Sequence, residues 1–133
     1  MLEWIARRIP AMGPGYKWQM AAAIGLGHNG KIIAGMAVHD WLPHYKSCQL
    51  TFASETPIWA TRPSIRAMLA YPFEQLGVQR IMTIIAESNT RAIRVNEHLG
   101  FQLEGRCRLG CGTEDALIFG LLKSETPAWM GFT

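Results

Sequence analysis

The sequence predicts one mixed α/β (α+β) domain whose mixed sheet has two parallel strands at its centre, and three observations carry that reading. Ile81, Met82, Ile84, Ile85 and Ala86 form a run too continuous for a strand with one wet face, so it reads as a central strand covered on both sides. Ser88-Asn89 then supply side-chain oxygens for a helix start, Ala92, Val95 and Leu99 fall on one helical stripe, and Gly100 follows the last periodic residue. A strand pattern at 48–54, a helical pattern beginning near Pro63 and the central strand at 79–87 succeed one another. Strand, helix, strand in that order implies a right-handed crossover between parallel neighbours.

Taken from its start, the chain places Leu2, Ile5 and Ile9 at helical spacing, a short lead-in helix that Pro10, Gly13, Pro14 and Gly15 stop. Residues 20–26 and 32–39 are small or apolar on either side of Asn29-Gly30, a strong hairpin signal for two antiparallel strands. An aromatic loop of Trp41, Pro43, His44 and Tyr45 leads to a third strand, where Cys48, Leu50 and Phe52 alternate with Gln49, Thr51 and Ala53. Thr61 or Arg62 caps the next helix, with Pro63 in its first position and Ile65, Met68, Leu69, Phe73 and Leu76 facing inward. Pro72 is expected to kink that helix and Gly77 to end it. After the central strand and its helix, Phe101 folds back onto the last turn and opens an alternating strand with Leu103 and Gly105. A hairpin holding Cys111-Gly112-Thr113 joins it to a last apolar strand at 116–122. From Ser124 onward a tail is expected, with Trp129, Met130 and Phe132 apolar enough to dock on the body or on a partner.

The 133 residues, 49% of them hydrophobic, suffice for one core, so residues 1–133 read as one domain with its core at 20–123 and a tail at 124–133. A net charge of +3 without a dense basic run permits an anionic ligand and does not demand nucleic acid. No apolar run approaches the ~18 residues that cross a bilayer. Arg7-Arg8 and the small residues that follow imitate a secretion signal, which the turn residues between Pro10 and Lys17 interrupt. Cys48, Cys107 and Cys111 are an odd set without a paired C-x-x-C, which suits reduced thiols in a cytoplasm rather than a metal site or disulfide framework.

Asn89-x-x-Ala92, Leu99-Gly100-Phe101, Glu104-Gly105 and Arg108 together resemble the GNAT superfamily of acyl-CoA-dependent N-acetyltransferases. The likeness runs from about Ala21 to Lys123 and looks nearest to the branch that acetylates ribosomal-protein N-termini and small amines. It implies a GNAT-like sheet whose central parallel strands, 48–54 and 79–87, splay apart, with acetyl-CoA as cofactor. The opened edge at Phe52, Ala53 and Ser54 pairs with the pantetheine arm in such a fold, and Asn89 contacts the cofactor. The family's pyrophosphate loop maps to 59–64, where Arg62 replaces a glycine and Pro63 has no N–H, leaving Thr61, Arg62, Ser64 and Ile65 as the anion site. The family's thiolate-protonating tyrosine falls at Asn96, which cannot act as an acid, so a water, Ser88 or another residue is expected in that role. The usual first strand and paired helices reduce here to residues 2–9, a truncation that leaves a sheet edge bare and suggests a homodimer.

An aliphatic amine with a pKa of about 10.4 is protonated at neutral pH, so its attack on a thioester needs a proton acceptor. Glu87 at the end of the central strand, Glu55 at the end of its neighbour and His39 beside Asp40 are the candidates. Arg91, in the first turn of its helix, is placed to reach a phosphate, and Trp41, His44 and Tyr45 could wall an acceptor pocket. The resulting expectation is acetyl transfer to the primary amine of a small molecule or peptide, by direct attack in a ternary complex. Two other readings stand beside it: an acceptor that is a nucleic-acid base, and a non-catalytic binding protein of the same fold.

Overall fold

The computed structural model describes residues 1–9, 17–18 and 21–133. They form a six-stranded mixed sheet with helices on both faces. The elements are α1 (Leu2–Arg8), β1 (Ala22–His28), β2 (Lys31–Leu42), β3 (Ser47–Ser54), α2 (Arg62–Ala70), β4 (Arg80–Ala86), α3 (Thr90–His98), β5 (Gln102–Cys107) and β6 (Ala116–Leu122). The strand order is β1-β2-β3-β4-β6-β5, with β3 and β4 the parallel pair at the centre. The expected start of the first strand at Met20 and the Pro10-to-Gly15 stop lie outside the described residues.

Each hairpin forms where turn chemistry allows a left-handed backbone. Asn29 and Gly30, at φ 51° and 78°, turn β1 into β2. Gly100, at φ 99°, ends α3: its N–H donates to the Glu97 carbonyl at 3.1 Å and the Phe101 N–H to that of Asn96 at 3.0 Å. That paired closure satisfies carbonyls the helix would otherwise leave bare, and it turns Phe101 into the core, 3% exposed.

Two layers pack on the sheet. On one face α2 and α3 cover Met36, Val38, Leu50, Ile81, Ile85, Leu117, Phe119 and Leu121. On the other, α1 lies over β1 to β3, where Ile5 packs with Ala37 and Ala53. An added Cβ on Gly35 would stand 2.9 Å from Ile5, so the glycine lets the helix sit close. The tail docks on the body: Met130 and Phe132 are buried, Phe132 meets Phe73 at 5.2 Å, and Arg66 donates to the Met130 carbonyl at 2.8 Å.

Two local expectations are corrected. The central strand is not covered on both sides, because its odd residues face α2 and α3 while Ile84, on the opposite face, is 51% exposed. An unbroken apolar run therefore marked the strand but not its second cover. Pro72 does not bend an α-helix. The α-helix ends at Ala70 and continues as a π-helical turn, Tyr71–Gln75, closed by the Leu76 N–H on the Tyr71 carbonyl.

Because an L side chain is strained at the backbone angle of Gly100, Gly100→Ala is expected to destabilise the fold by about 1 kcal/mol or more. Urea denaturation at equilibrium measures this, and an unchanged midpoint would contradict the capping role.

Candidate functional site

The parallel ladder between β3 and β4 is short. It pairs Ser47 with Arg80, Cys48 with Ile81 and Gln49 with Met82, and then stops. Both strands continue, each held on its far side: β3 pairs with β2 up to Ser54, and β4 with β6 up to Ala86. The two therefore diverge as a wedge. Strand backbone groups alternate in direction, and the Lys46 carbonyl accepts from the Gln79 and Arg80 N–H groups while the Glu55 N–H donates back to Ile33. That alternation turns the backbone of Phe52 and Ser54 on β3, and of Ile84 and Ala86 on β4, into the gap, where no described strand pairs with them.

Side chains on both faces hold the wedge open. Phe52 stacks on Trp59 at 5.8 Å and 24°. Asn96, buried on α3, accepts from the Thr83 hydroxyl at 2.9 Å and donates to the Ala92 carbonyl at 2.9 Å, tying α3 to β4. On the opposite face Arg8 of α1 forms an ion pair with Glu55 and lies 3.7 Å over the Trp4 ring. The result is a cleft of about 300 Å³ lined by Arg8, Phe52 to Ser54, Trp59, Asn89, Arg91 and the Ala92, Val95 and Leu99 stripe of α3.

The structure brings together only part of the predicted site. Phe52, Ala53, Ser54, Asn89 and Arg91 line the cleft, and Asn89 also caps α3 by accepting from the Ala92 N–H at 3.2 Å. Thr61, Arg62, Ser64 and Ile65 do not line it. Thr61 caps α2, taking the Ser64 N–H on its hydroxyl at 3.3 Å and the Ile65 N–H on its carbonyl at 3.0 Å, so both amides are already engaged. Arg62 lies over the Trp129 ring, 5.2 Å from its centroid. Trp41, His44 and Tyr45 stand at the other end of β3, where the ladder is closed. Trp41 borders a separate cavity with Val38, Tyr71 and Leu76.

The candidate bases also part company. Glu55 is committed to Arg8. Glu87 accepts from Arg106 at 2.6 Å, and the same guanidinium donates to Asp115 at 3.0 Å. Asp115 is held below the usual carboxylate range, first by the Leu109 N–H it accepts and then by Arg106. His39 is buried on the α1 face of β2, edge-on to Trp18 at 5.1 Å, with both ring nitrogens engaged. Sequence reasoning missed Arg8 as a cleft residue, and of the loop mapped to 59–64 only Trp59 and Ala60 line the cleft. Arg8 meets Glu55 across 47 positions of sequence, and no local spacing signals such a contact.

The family model described as an acetyltransferase (GNAT) domain matches residues 2–102. A solved structure described as a probable acetyltransferase is 22% identical with a TM-score of 0.69, the match covering 79% of this chain and 63% of that one. A variant of the spermidine N-acetyltransferase from Vibrio cholerae is 18% identical with a TM-score of 0.67, over 79% of this chain and 67% of its own. At such identities the likeness is one of fold. No curated protein sequence matches the chain significantly.

Among the described residues, the Asn96 to Thr83 bond is the buried side-chain pair that joins α3 to the strand it opens from. Asn96→Ala should cost about 1–3 kcal/mol by leaving the Thr83 hydroxyl unsatisfied. Combining it with Thr83→Val should recover part of that loss in a double-mutant cycle read by denaturation, whereas strict additivity would mean the bond contributes nothing.

Proposed function

The chain belongs to the GNAT acetyltransferase family, and from that premise we propose that it transfers an acetyl group from acetyl-CoA to a primary amine by direct attack in a ternary complex. The observation that carries the proposal is the wedge, in which β3 and β4 part after three paired residues and present unpaired backbone to a cleft. An extended amide-bearing chain can add to such an edge as a strand adds to a sheet. When bound, the coenzyme supplies an activated acyl thioester. The residues of this chain then bind and orient it. Phe52, Ala53 and Ser54 offer the edge, Trp59 and the α3 stripe exclude water, and a backbone N–H in the gap can hold the negative charge that develops on the acyl oxygen.

The phosphates are the point of departure from the family pattern. Since Thr61 has taken the Ser64 and Ile65 amides of α2, and Asn89 the Ala92 and Ile93 amides of α3, the guanidinium of Arg91 is the cationic partner we assign to the phosphates. Direct attack is favoured over an intermediate on Cys48, because burial pushes that thiol up to about 12 and away from the nucleophilic thiolate. The acceptor class is a small aliphatic amine or a peptide N-terminus, as in the branch that acetylates ribosomal proteins, and the place of reaction is the cytoplasm. No described helix is long and apolar enough to cross a membrane. We further assign a homodimer, formed through β1, which has no described strand on its outer side.

Acetyl-CoA in excess over its Kd should raise the melting temperature, a hundredfold excess adding about 2.7 kcal/mol, and Arg91→Ala should weaken that shift. Mass spectrometry of polyamine, peptide and nucleoside mixtures incubated with acetyl-CoA identifies the acceptor, and a wild type with neither shift nor product sinks the proposal. Light scattering after size exclusion should give twice the 14.9 kDa chain mass, and a monomer at all concentrations would remove the dimer.

A further inference from the structure

His39 and Asp40 are neighbours on β2, and neighbouring side chains of a regular strand point to opposite faces. Here they touch: Asp40 Oδ2 lies 2.5 Å from His39 Nδ1. The contact exists because the ladder between β2 and β3 shifts register between His39 and Leu42, and because Asp40 takes φ 50°, a left-handed backbone that a non-glycine residue rarely adopts. The strain turns one carboxylate back onto one imidazole. The other ring nitrogen, Nε2, lies 2.8 Å from the hydroxyl oxygen of Thr51 on β3. Carboxylate, imidazole and hydroxyl thus stand in line, the order in which a histidine held by an acid can draw a proton from a hydroxyl.

Thr51 ends this line beside the wedge: it does not itself line the cleft, but Phe52 and Ala53 next to it do. Gln49 is the last residue of β3 paired with β4, and Ala53 lines the cleft. Thr51 lies between them on the same face of the strand as Ala53, the face on which α1 brings Arg8 and Ile9 to the cleft. The two carboxylates nearer the strand ends are held by Arg8 and Arg106.

We propose that Thr51 carries the amine proton to His39, with Asp40 as the positioning residue that orients the ring, an inference that rests on the acyl-transfer reading above. The ammonium first loses one proton to solvent; as the neutral amine bonds to the acyl carbon, its nitrogen passes a second proton to Thr51 Oγ1 while Thr51 passes its own to His39 Nε2. The imidazolium is balanced by Asp40. When the carbon–sulfur bond breaks, the same proton returns through Thr51 to the departing thiolate, so amine and thioester become amide and thiol with no other reactant.

The test has two arms. Thr51→Val should lower kcat by about 10²-fold or more while leaving the acetyl-CoA melting shift intact, and Thr51→Ser, which keeps the hydroxyl, should restore turnover. Asp40→Asn should lower kcat without changing KM for acetyl-CoA. Independently of turnover, nitrogen-15 NMR of the neutral His39 ring should show the proton on Nδ1 and an accepting Nε2. Wild-type rates in Thr51→Val, or a proton resident on Nε2, overturn the relay and leave acyl transfer standing. A wild type that acetyl-CoA does not stabilise and that acetylates nothing on the amine panel removes both.

Discussion

The divergence of two parallel strands after three paired residues is the constraint on which the rest of this molecule depends. A sheet gains by pairing every backbone group, so two central strands part only where other interactions hold each of them elsewhere. Here β2 holds β3 and β6 holds β4 along their whole lengths. Phe52 stacks on Trp59, and Asn96 binds Thr83 from above. In the gap left between the two strands the backbone of Phe52, Ser54 and Ile84 meets no described strand, while the Ala86 carbonyl accepts from the Asn89 N–H.

The helices are arranged around that gap. α3 starts at its open end, capped by Asn89, and stops in a closure at Gly100 that turns Phe101 into the core. This fixes both the tilt of the apolar stripe facing the cleft and the direction of the first helical turn. On the opposite face α1 is brought down onto small residues, Gly35, Ala37 and Ala53, and its last arginine reaches Glu55 just beyond β3. The tail supports the same side of the core as α2, with Arg66 binding both the Met130 carbonyl and Glu74 and lying over Phe132. Cleft walls thus come from segments far apart in the chain.

Much of the fold could be read along the chain because its signals are local. Asn29-Gly30, Thr61 with Pro63, and Leu99-Gly100-Phe101 are each a few residues whose own backbone preferences start or stop an element, and each does so here. The alternation of Cys48, Leu50 and Phe52 marked β3 for the same reason. The site was legible in half. Phe52 to Ser54, Asn89 and Arg91 line the cleft, while the Thr61 to Ile65 helix start, the anion site implied by the family resemblance, has its Ser64 and Ile65 amides taken by its own cap. Aromatic residues at 41–45 suggested a pocket wall, yet they lie at the closed end of the ladder. Composition shows what a loop could touch, but not which end of a strand it occupies.

By itself the sequence determined the order and kind of the elements, the parallel central pair and the caps, because those follow from periodicity and from backbone preferences within a few residues. Only the tertiary structure decided where the parallel ladder stops, which carboxylates arginines neutralise, and that Asp40 bends back to hold His39 against Thr51. Those are contacts between residues on different elements or across a bulge, each the outcome of competition among many possible partners. No local pattern records which partner wins.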